Sequence, residues 1–160
     1  MRTKTPESIV IVRFPDCDPF NHLNNSRYID YFINTREDHL SKVYDFNVYQ
    51  YAKETGKSWF ITQNQIAYFV PALLMEKVKI QTTILEWNTS DILVEMQMWN
   101  EKKSKLKSLL WTKFTHYDLI NQKRIKHNDF LNEKFSKYEN PLTNRISFEQ
   151  RVMDIKRKNK

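Results

Sequence analysis

Ser8 to Val43, SIVIVRFPDCDPFNHLNNSRYIDYFINTREDHLSKV, is the stretch on which the fold turns. Three kinds of sequence follow one another in it. Ser8 to Phe14 is apolar and β-branched, which predicts a strand, and Pro15, having no N–H to donate, suits the end or edge of one. Asp16 to Ser26 is polar and rich in turn formers. From Arg27 to Val43, the residues Tyr28, Tyr31, Phe32, Thr35, His39, Leu40 and Val43 recur at spacings of three and four, which predicts a helix with one amphipathic stripe. Asn24, Asn25 or Ser26 can cap it. Roughly 17 helical residues span about 25 Å.

Outward from this unit the pattern changes. Tyr44 to Lys57 reads as a connection with room for a short helical turn, ended by Gly56. Trp59 to Val70 is β-rich and stops at Pro71. Glu76 to Trp87 alternates, with Val78, Ile80, Thr82 and Ile84 on one face. After a turn at Asn88 to Asp91, Ile92 to Trp99 alternates again and groups Val94, Met96 and Met98. Glu101 to Lys107 reads as a polar hairpin turn and Leu109 to Leu119 as another strand. Asn128 to Lys137 suits a short helix, and the tail from Phe148 a basic amphipathic one. Strands joined by short turns pair antiparallel. The expectation is an α+β fold, a curved antiparallel sheet of about five strands wrapped around one long helix. Residues 1–142 form one domain and 143–160 a basic tail. An open sheet edge favours a dimer that extends the sheet.

Composition narrows the function classes. A chain of 160 residues that is 40% hydrophobic supports one core. Its single glycine argues against phosphate-cradling glycine loops, so P-loop and dinucleotide-binding readings fall away. The net charge is +7, and the last 18 residues contribute six Lys or Arg against two acids. Lys102, Lys103, Lys105 and Lys107 form a second basic cluster, and solvated surface is the plainest reading of both. A nucleic-acid binder would need a motif that the sequence lacks. One cysteine, Cys17, forbids an intrachain disulfide. The apolar run Ile9 to Val12 is too short for a leader or a membrane span, so the expectation is a soluble cytoplasmic protein without membrane contact.

The densest polar cluster is Asp16-Cys17-Asp18-Pro19-Phe20-Asn21-His22-Leu23-Asn24-Asn25. Read plainly, it caps a helix. It also has the parts of an active site. Unpaired N–H groups and partial positive charge at a helix start hold an oxyanion. A carboxylate in the preceding loop acts as nucleophile or general base. Cys17 with His22 would make a rival dyad, but a strand extended through Asp18 turns Cys17 away from both acids. Asp16 reads as a loop-ordering acceptor. No zinc-like spacing is present, since His39, His116 and His127 are scattered, so no metal is expected.

Asp16-Cys17-Asp18-Pro19, His22-Leu23-Asn24-Asn25, Arg27-Tyr28 and Arg36 together resemble the signature of the hot-dog thioesterases. The branch is the one that includes 4-hydroxybenzoyl-CoA thioesterase and long-chain acyl-CoA thioesterases. Ile66-Ala67-Tyr68 before Pro71, with two alternating strands after it, is similar as well, so the resemblance covers roughly residues 8 to 130. It implies a hot-dog fold and hydrolysis of an acyl-CoA thioester to the free acid and CoA, with no cofactor. It implies Asp18 as the catalytic carboxylate, Asn25 as the helix-start position whose N–H polarises the thioester carbonyl, and His22 as an assisting or ordering residue. Two positions depart from the family. Asn21 stands where many relatives have Gly, and Asn is the next-best residue for a left-handed backbone. Phe20 stands where the acyl-carrier-protein branch has Asn. The alternatives are an acyl-carrier-protein thioesterase and a non-catalytic acyl-binding protein of the same fold; Asp18 and His22 weigh against the second. Core packing accounts for the four tryptophans, one or two of which could line an acyl channel. The implied assembly is a homodimer or homotetramer.

Overall fold

The computed structural model describes residues 2–158. Five long strands, β1 (Glu7–Ile11), β2 (Lys57–Tyr68), β3 (Lys77–Trp87), β4 (Asp91–Asn100) and β5 (Leu106–Asp118), and the two-residue β6 (Lys123–Arg124) form one sheet. Its order is β1-β3-β4-β5-β2, with β6 paired to the end of β5. Every strand pairing is antiparallel, as the short connections of β3 to β4, β4 to β5 and β5 to β6 require for those pairs. The helices are α1 (Tyr28–Lys42), α2 (Val48–Thr55), α3 (Asp129–Tyr138) and α4 (Phe148–Lys158).

The sheet curls around α1. The helix buries Tyr28, Phe32, Thr35, Arg36 and His39, while Tyr31 and Leu40 lie at the margin. Opposite stand the alternating residues predicted for β3 and β4: Val78 and Ile80, and Val94, Met96 and Met98. Full burial of each such side chain contributes about 2 kcal/mol. The other face of the sheet has its own core. There Leu85, Leu109 and Trp111 meet Phe148 and Ile155 of α4. Arg151 of α4 clasps the buried Glu95 through two bonds of 2.9 and 2.8 Å, and Trp111 Nε1 donates to the same carboxylate at 2.8 Å. Covered on both faces, β5 is buried continuously from Leu106 to Thr112 rather than alternating.

Several boundaries differ from the sequence reading for physical reasons. β1 ends at Ile11, because Phe14–Asp16 winds into a 3-10 turn with Pro15 in its first positions. β5 begins at Leu106, because Lys107 is not solvated: its buried amine pairs with Glu76 at 2.7 Å and donates to the Pro71 carbonyl at 2.9 Å. Arg151 is likewise no solvated tail residue. The connection after α1 holds the two-turn α2, ended by Gly56 at φ 66. Among the described residues, no helix is long and apolar enough to cross a membrane.

Candidate active site

The loop between β1 and α1 is built largely from its own backbone. Asp18 N–H donates to the His22 carbonyl at 2.8 Å, and Asn21 N–H to the Asp18 carbonyl at 3.0 Å. Asp18 Oδ1 accepts from the Phe20 and His22 N–H groups at 2.9 and 3.0 Å. The turn closes because Asn21 adopts φ 60, the left-handed conformation for which it is suited. Asp18 Oδ2 accepts no hydrogen bond among the described residues. Asp18 is half-buried.

Asp16 is held differently. Its Oδ2 accepts the Tyr31 hydroxyl at 2.7 Å, and its Oδ1 lies 3.9 Å from Arg27 Nε. Tyr31 Oη in turn accepts the Arg13 N–H at 3.0 Å. Burial, offset in part by that N–H donor and reinforced by Asp16, pushes the Tyr31 phenol up to about 12, so it remains a proton donor. Both Asp16 oxygens thus face a donor or a cation, as suits a loop-ordering acceptor.

Strand β1 does not run on through Asp18, because the 3-10 turn Phe14–Asp16 interrupts it, although Cys17 itself is extended and bridges Leu23. The half-buried thiol donates to the Arg13 carbonyl at 3.4 Å. Burial, then the charges of Asp16 and Asp18, push it upward and keep it protonated. Burial and the two flanking carboxylates therefore oppose formation of the thiolate at Cys17.

The His22 backbone joins Asp18 in both directions, its carbonyl accepting the Asp18 N–H and its N–H donating to the Asp18 carboxylate, and its strand-like bridge to Leu73 straps the loop to the segment before β3. Leu23 N–H to Ala72 carbonyl at 2.8 Å and Leu74 N–H to Asn21 carbonyl at 2.9 Å complete the strap. Asn25 is not bonded to Asp18; it opens a 3-10 turn, Asn25–Arg27, that leads into α1. Asn24 caps that turn by accepting Ser26 N–H at 3.1 Å, whereas α1 itself has no side-chain cap. The Asn25 N–H meets no acceptor among the described residues, and its carbonyl accepts the Tyr68 hydroxyl at 3.0 Å. Phe14, Phe20, Leu73 and Met75 are exposed around the loop.

Sequence reasoning missed Tyr31, Tyr68 and the Lys107–Glu76 pair, which fix the loop from a distance. Tyr31 had a usable signal, since it sits at the margin of the helical stripe with a hydroxyl to place. The histidines are less scattered than expected: His116 and His127 stack with centroids 5.1 Å apart beside Trp59. Among the described residues, no three His, Cys, Asp or Glu side chains group to hold a metal ion. An apolar cavity of about 210 Å³ lies toward the other end of α1, and Asp18, His22 and Asn25 do not line it.

None of the curated proteins matches the chain. Similar solved structures include YbaW, a probable thioesterase from Escherichia coli, at 21% identity, with 84% of this chain and 98% of that one covered and a TM-score of 0.72. A DHNA-CoA thioesterase from Staphylococcus aureus is 19% identical, with 98% and 95% covered and a TM-score of 0.76. The hypothetical protein SAV2348 from Staphylococcus aureus, in complex with CoA, is 11% identical, with 94% of each chain covered and a TM-score of 0.80. At these identities the likeness is one of fold, and the fold is the hot-dog. The model of the thioesterase-like superfamily matches residues 12–135, which takes in the loop, α1 and the sheet from β2 onward. The chain belongs to the thioesterase-like superfamily.

Proposed function

We propose that this chain hydrolyses an acyl-CoA thioester to the free carboxylic acid and CoA. The Asp18 carboxylate attacks the thioester carbon or takes a proton from the attacking water, and the Asn25 N–H donates to the carbonyl oxygen as negative charge develops there. His22 orders the loop. The observation that carries this reading is the state of Asp18. Two backbone donors fix one oxygen, and among the described residues the other is unengaged and the N–H at the start of the turn leading into α1 is unpaired. Water supplies the second reactant, so no cofactor is called for. Superfamily membership supports thioester chemistry. The CoA named with one similar structure and the CoA thioester named with another support CoA as the thiol. An excess of seven positive charges suits its phosphates.

The reading includes a homodimer. Strand β2 is twelve residues long, its outer edge has no partner strand among the described residues, and its middle residues are exposed. Unpaired edges of that length template association. The exposed apolar side chains around the loop support an assembly in which a second copy shelters the site. Release of free CoA from a panel of acyl-CoAs, with Asp18→Asn run alongside, tests the chemistry. Sedimentation at micromolar concentration tests the assembly, and an active monomer would end that part of the reading.

A further inference from the structure

Lys107 is a lysine kept from water: it is 5% exposed, and its amine is surrounded by three oxygens. Nζ lies 2.7 and 2.9 Å from the two Glu76 carboxylate oxygens and donates to the Pro71 carbonyl at 2.9 Å. The Lys107 carbonyl acts on the same stretch of chain, accepting the Phe69 N–H at 2.9 Å and the Val70 N–H at 3.4 Å. One residue of β5 thus holds both ends of residues 69–76, which join β2 to β3. Glu76 folds that connection back on itself. Its carboxylate accepts the Leu73 N–H at 2.8 Å, and its own N–H donates to the Leu73 carbonyl at 2.9 Å. Met75 is held there at φ 62, a left-handed conformation that a residue with a long side chain adopts only under constraint. A buried ion pair is a poor source of net stability, since apolar residues of similar volume often serve a fold as well. The use of this one is geometric.

The connection shaped in this way touches both halves of the candidate site. On one side, the Leu23 N–H donates to the Ala72 carbonyl at 2.8 Å and the Leu74 N–H to the Asn21 carbonyl at 2.9 Å, which binds it to the turn carrying Asp18. On the other, the Ala72 N–H donates to the Tyr28 hydroxyl at 3.0 Å. Tyr28 is the first residue of α1, and the 3-10 turn opened by Asn25 runs directly into it. Ala72 and Tyr28 are both buried, so neither bond is open to exchange with water. Ala72 therefore reaches the turn through its carbonyl and the helix start through its N–H. It is the point across which the carboxylate and the helix-start N–H are spaced, and it directly follows the Pro71 carbonyl that Lys107 holds.

We propose that Lys107 and Glu76 are positioning residues for the thioesterase reaction: by shaping residues 71–76 they set the separation between the Asp18 carboxylate and the Asn25 N–H. Lys107 is enclosed and acts through Ala72 rather than on substrate. The inference rests on the roles proposed above for Asp18 and Asn25. A thioester carbonyl has to meet the carboxylate at its carbon and the N–H at its oxygen together. A misplacement on the order of 1 Å between two such groups costs up to about a hundredfold in rate. Substrate affinity is affected far less, because the acyl chain and the CoA arm are held elsewhere.

Two measurements on the full chain test it: steady-state thiol release from an acyl-CoA, and hydrogen exchange of single amides. In Lys107→Met, kcat falls at least about tenfold and KM stays within about threefold. The Leu23, Ala72 and Leu74 amides exchange at least about tenfold faster, while the Met96 and Leu110 amides in the core keep their rates. Glu76→Gln retains an acceptor for the Leu73 N–H and for the amine, so it loses severalfold in kcat and less protection at the same three amides. Its side chain is partly exposed, so this variant folds and carries the test alone if Lys107→Met does not. Unchanged exchange at Leu23, Ala72 and Leu74 in a folded variant overturns the proposal. So does faster exchange there with kcat at the parent's level, or a rise in KM that matches the fall in kcat, which would make the pair a substrate contact. A parent that releases no thiol from any acyl-CoA instead ends the reading of Asp18, and exchange then decides alone whether the pair shapes the connection.

Discussion

The two ends of α1 hold charge in opposite ways. Before its first turn, Asp16 and Asp18 are half-buried, and their donors come from residues close in sequence or from the helix itself. Toward its other end, Arg36 and His39 are almost wholly buried, and their contacts reach β3, 43 to 46 residues away. At the first end the backbone fixes a carboxylate while leaving one oxygen free, which suits a group that must act on a substrate. At the second, a cation and a neutral imidazole are kept from water by the core, which suits recognition of a ligand or regulation of stability. One helix thus separates a chemically open region from a closed one.

The largest expected effect breaks the open end. Asp18→Asn retains an acceptor for the Phe20 and His22 N–H groups, so the loop keeps its shape while losing charge and basicity. The expected fall in kcat is at least about a hundredfold, near 3 kcal/mol in barrier. KM changes far less, because the acyl chain and the CoA arm hold the substrate. His22→Ala lies between Asp18→Asn and the parent. Steady-state thiol release with a thermal melt alongside decides it; full activity in Asp18→Asn places the chemistry elsewhere.

The closed end is broken by acid. His39 lies near 4 in the folded chain, against an ordinary 6.5, because of burial and then the Arg36 charge. A depressed imidazole binds its proton more readily once unfolded, so its contribution is complete above about pH 6.5 and is lost as pH falls toward 4. At pH 4.5 that loss is on the order of 2 kcal/mol. His116 behaves alike, lowered to about 4 by burial and by His127. Denaturant unfolding at pH 7 and pH 4.5 measures the drop. His39→Gln should shrink it, and an unchanged drop would show that His39 is not neutral in the fold.

A smaller effect sharpens the boundary between the regions. Tyr31 stands on α1 yet serves the loop, donating to Asp16 and accepting from Arg13. Tyr31→Phe removes both bonds. The expected cost is about 1 kcal/mol in stability, with kcat reduced severalfold. An equal or larger kcat loss than in Asp18→Asn would make Tyr31 a participant rather than a positioning residue.

The turn around Asp18 was legible in sequence because the bonds that shape it are local. Asp18 bonds Phe20, Asn21 and His22, and the Asn24 side chain bonds Ser26, all within four residues, so type and spacing carry much of the turn's geometry, though not its strap to Ala72–Leu74. Strand alternation in β3 and β4 was legible for the same reason. The cavity was not. Its lining is drawn from α1, the connection, four strands and α3, and periodicity says nothing about which strand meets which helix. One trace did exist: Arg36 follows Phe32 by four residues and Thr35 by one, on the buried side of the stripe, where a charged residue is out of place. Lys107 was hidden differently, since it follows the exposed Lys102, Lys103 and Lys105, and its partners, Glu76 and the Pro71 carbonyl, lie 31 and 36 residues away.

The smallest expected effect is Cys17→Ser, and it separates two accounts of the open end. If the thiol were the nucleophile, its thiolate would have to form near neutral pH. Burial and two flanking carboxylates oppose that, and the nearest hydrogen-bond partner is a carbonyl, which accepts a proton contact but stabilises no negative charge. The His22 ring makes no hydrogen bond to Cys17, so no base is poised to take the proton. Serine preserves a donor toward the Arg13 carbonyl and gives up some apolar contact with the core that Cys17 flanks. Stability should therefore change by less than about 1 kcal/mol, and kcat should stay within about threefold of the parent, under 1 kcal/mol in barrier. Alkylation by iodoacetamide at pH 7 should be slow and leave turnover intact. A hundredfold loss in Cys17→Ser, with an acyl group trapped on sulfur in the parent, would transfer the chemistry from Asp18 to the thiol and leave the carboxylate as scaffold.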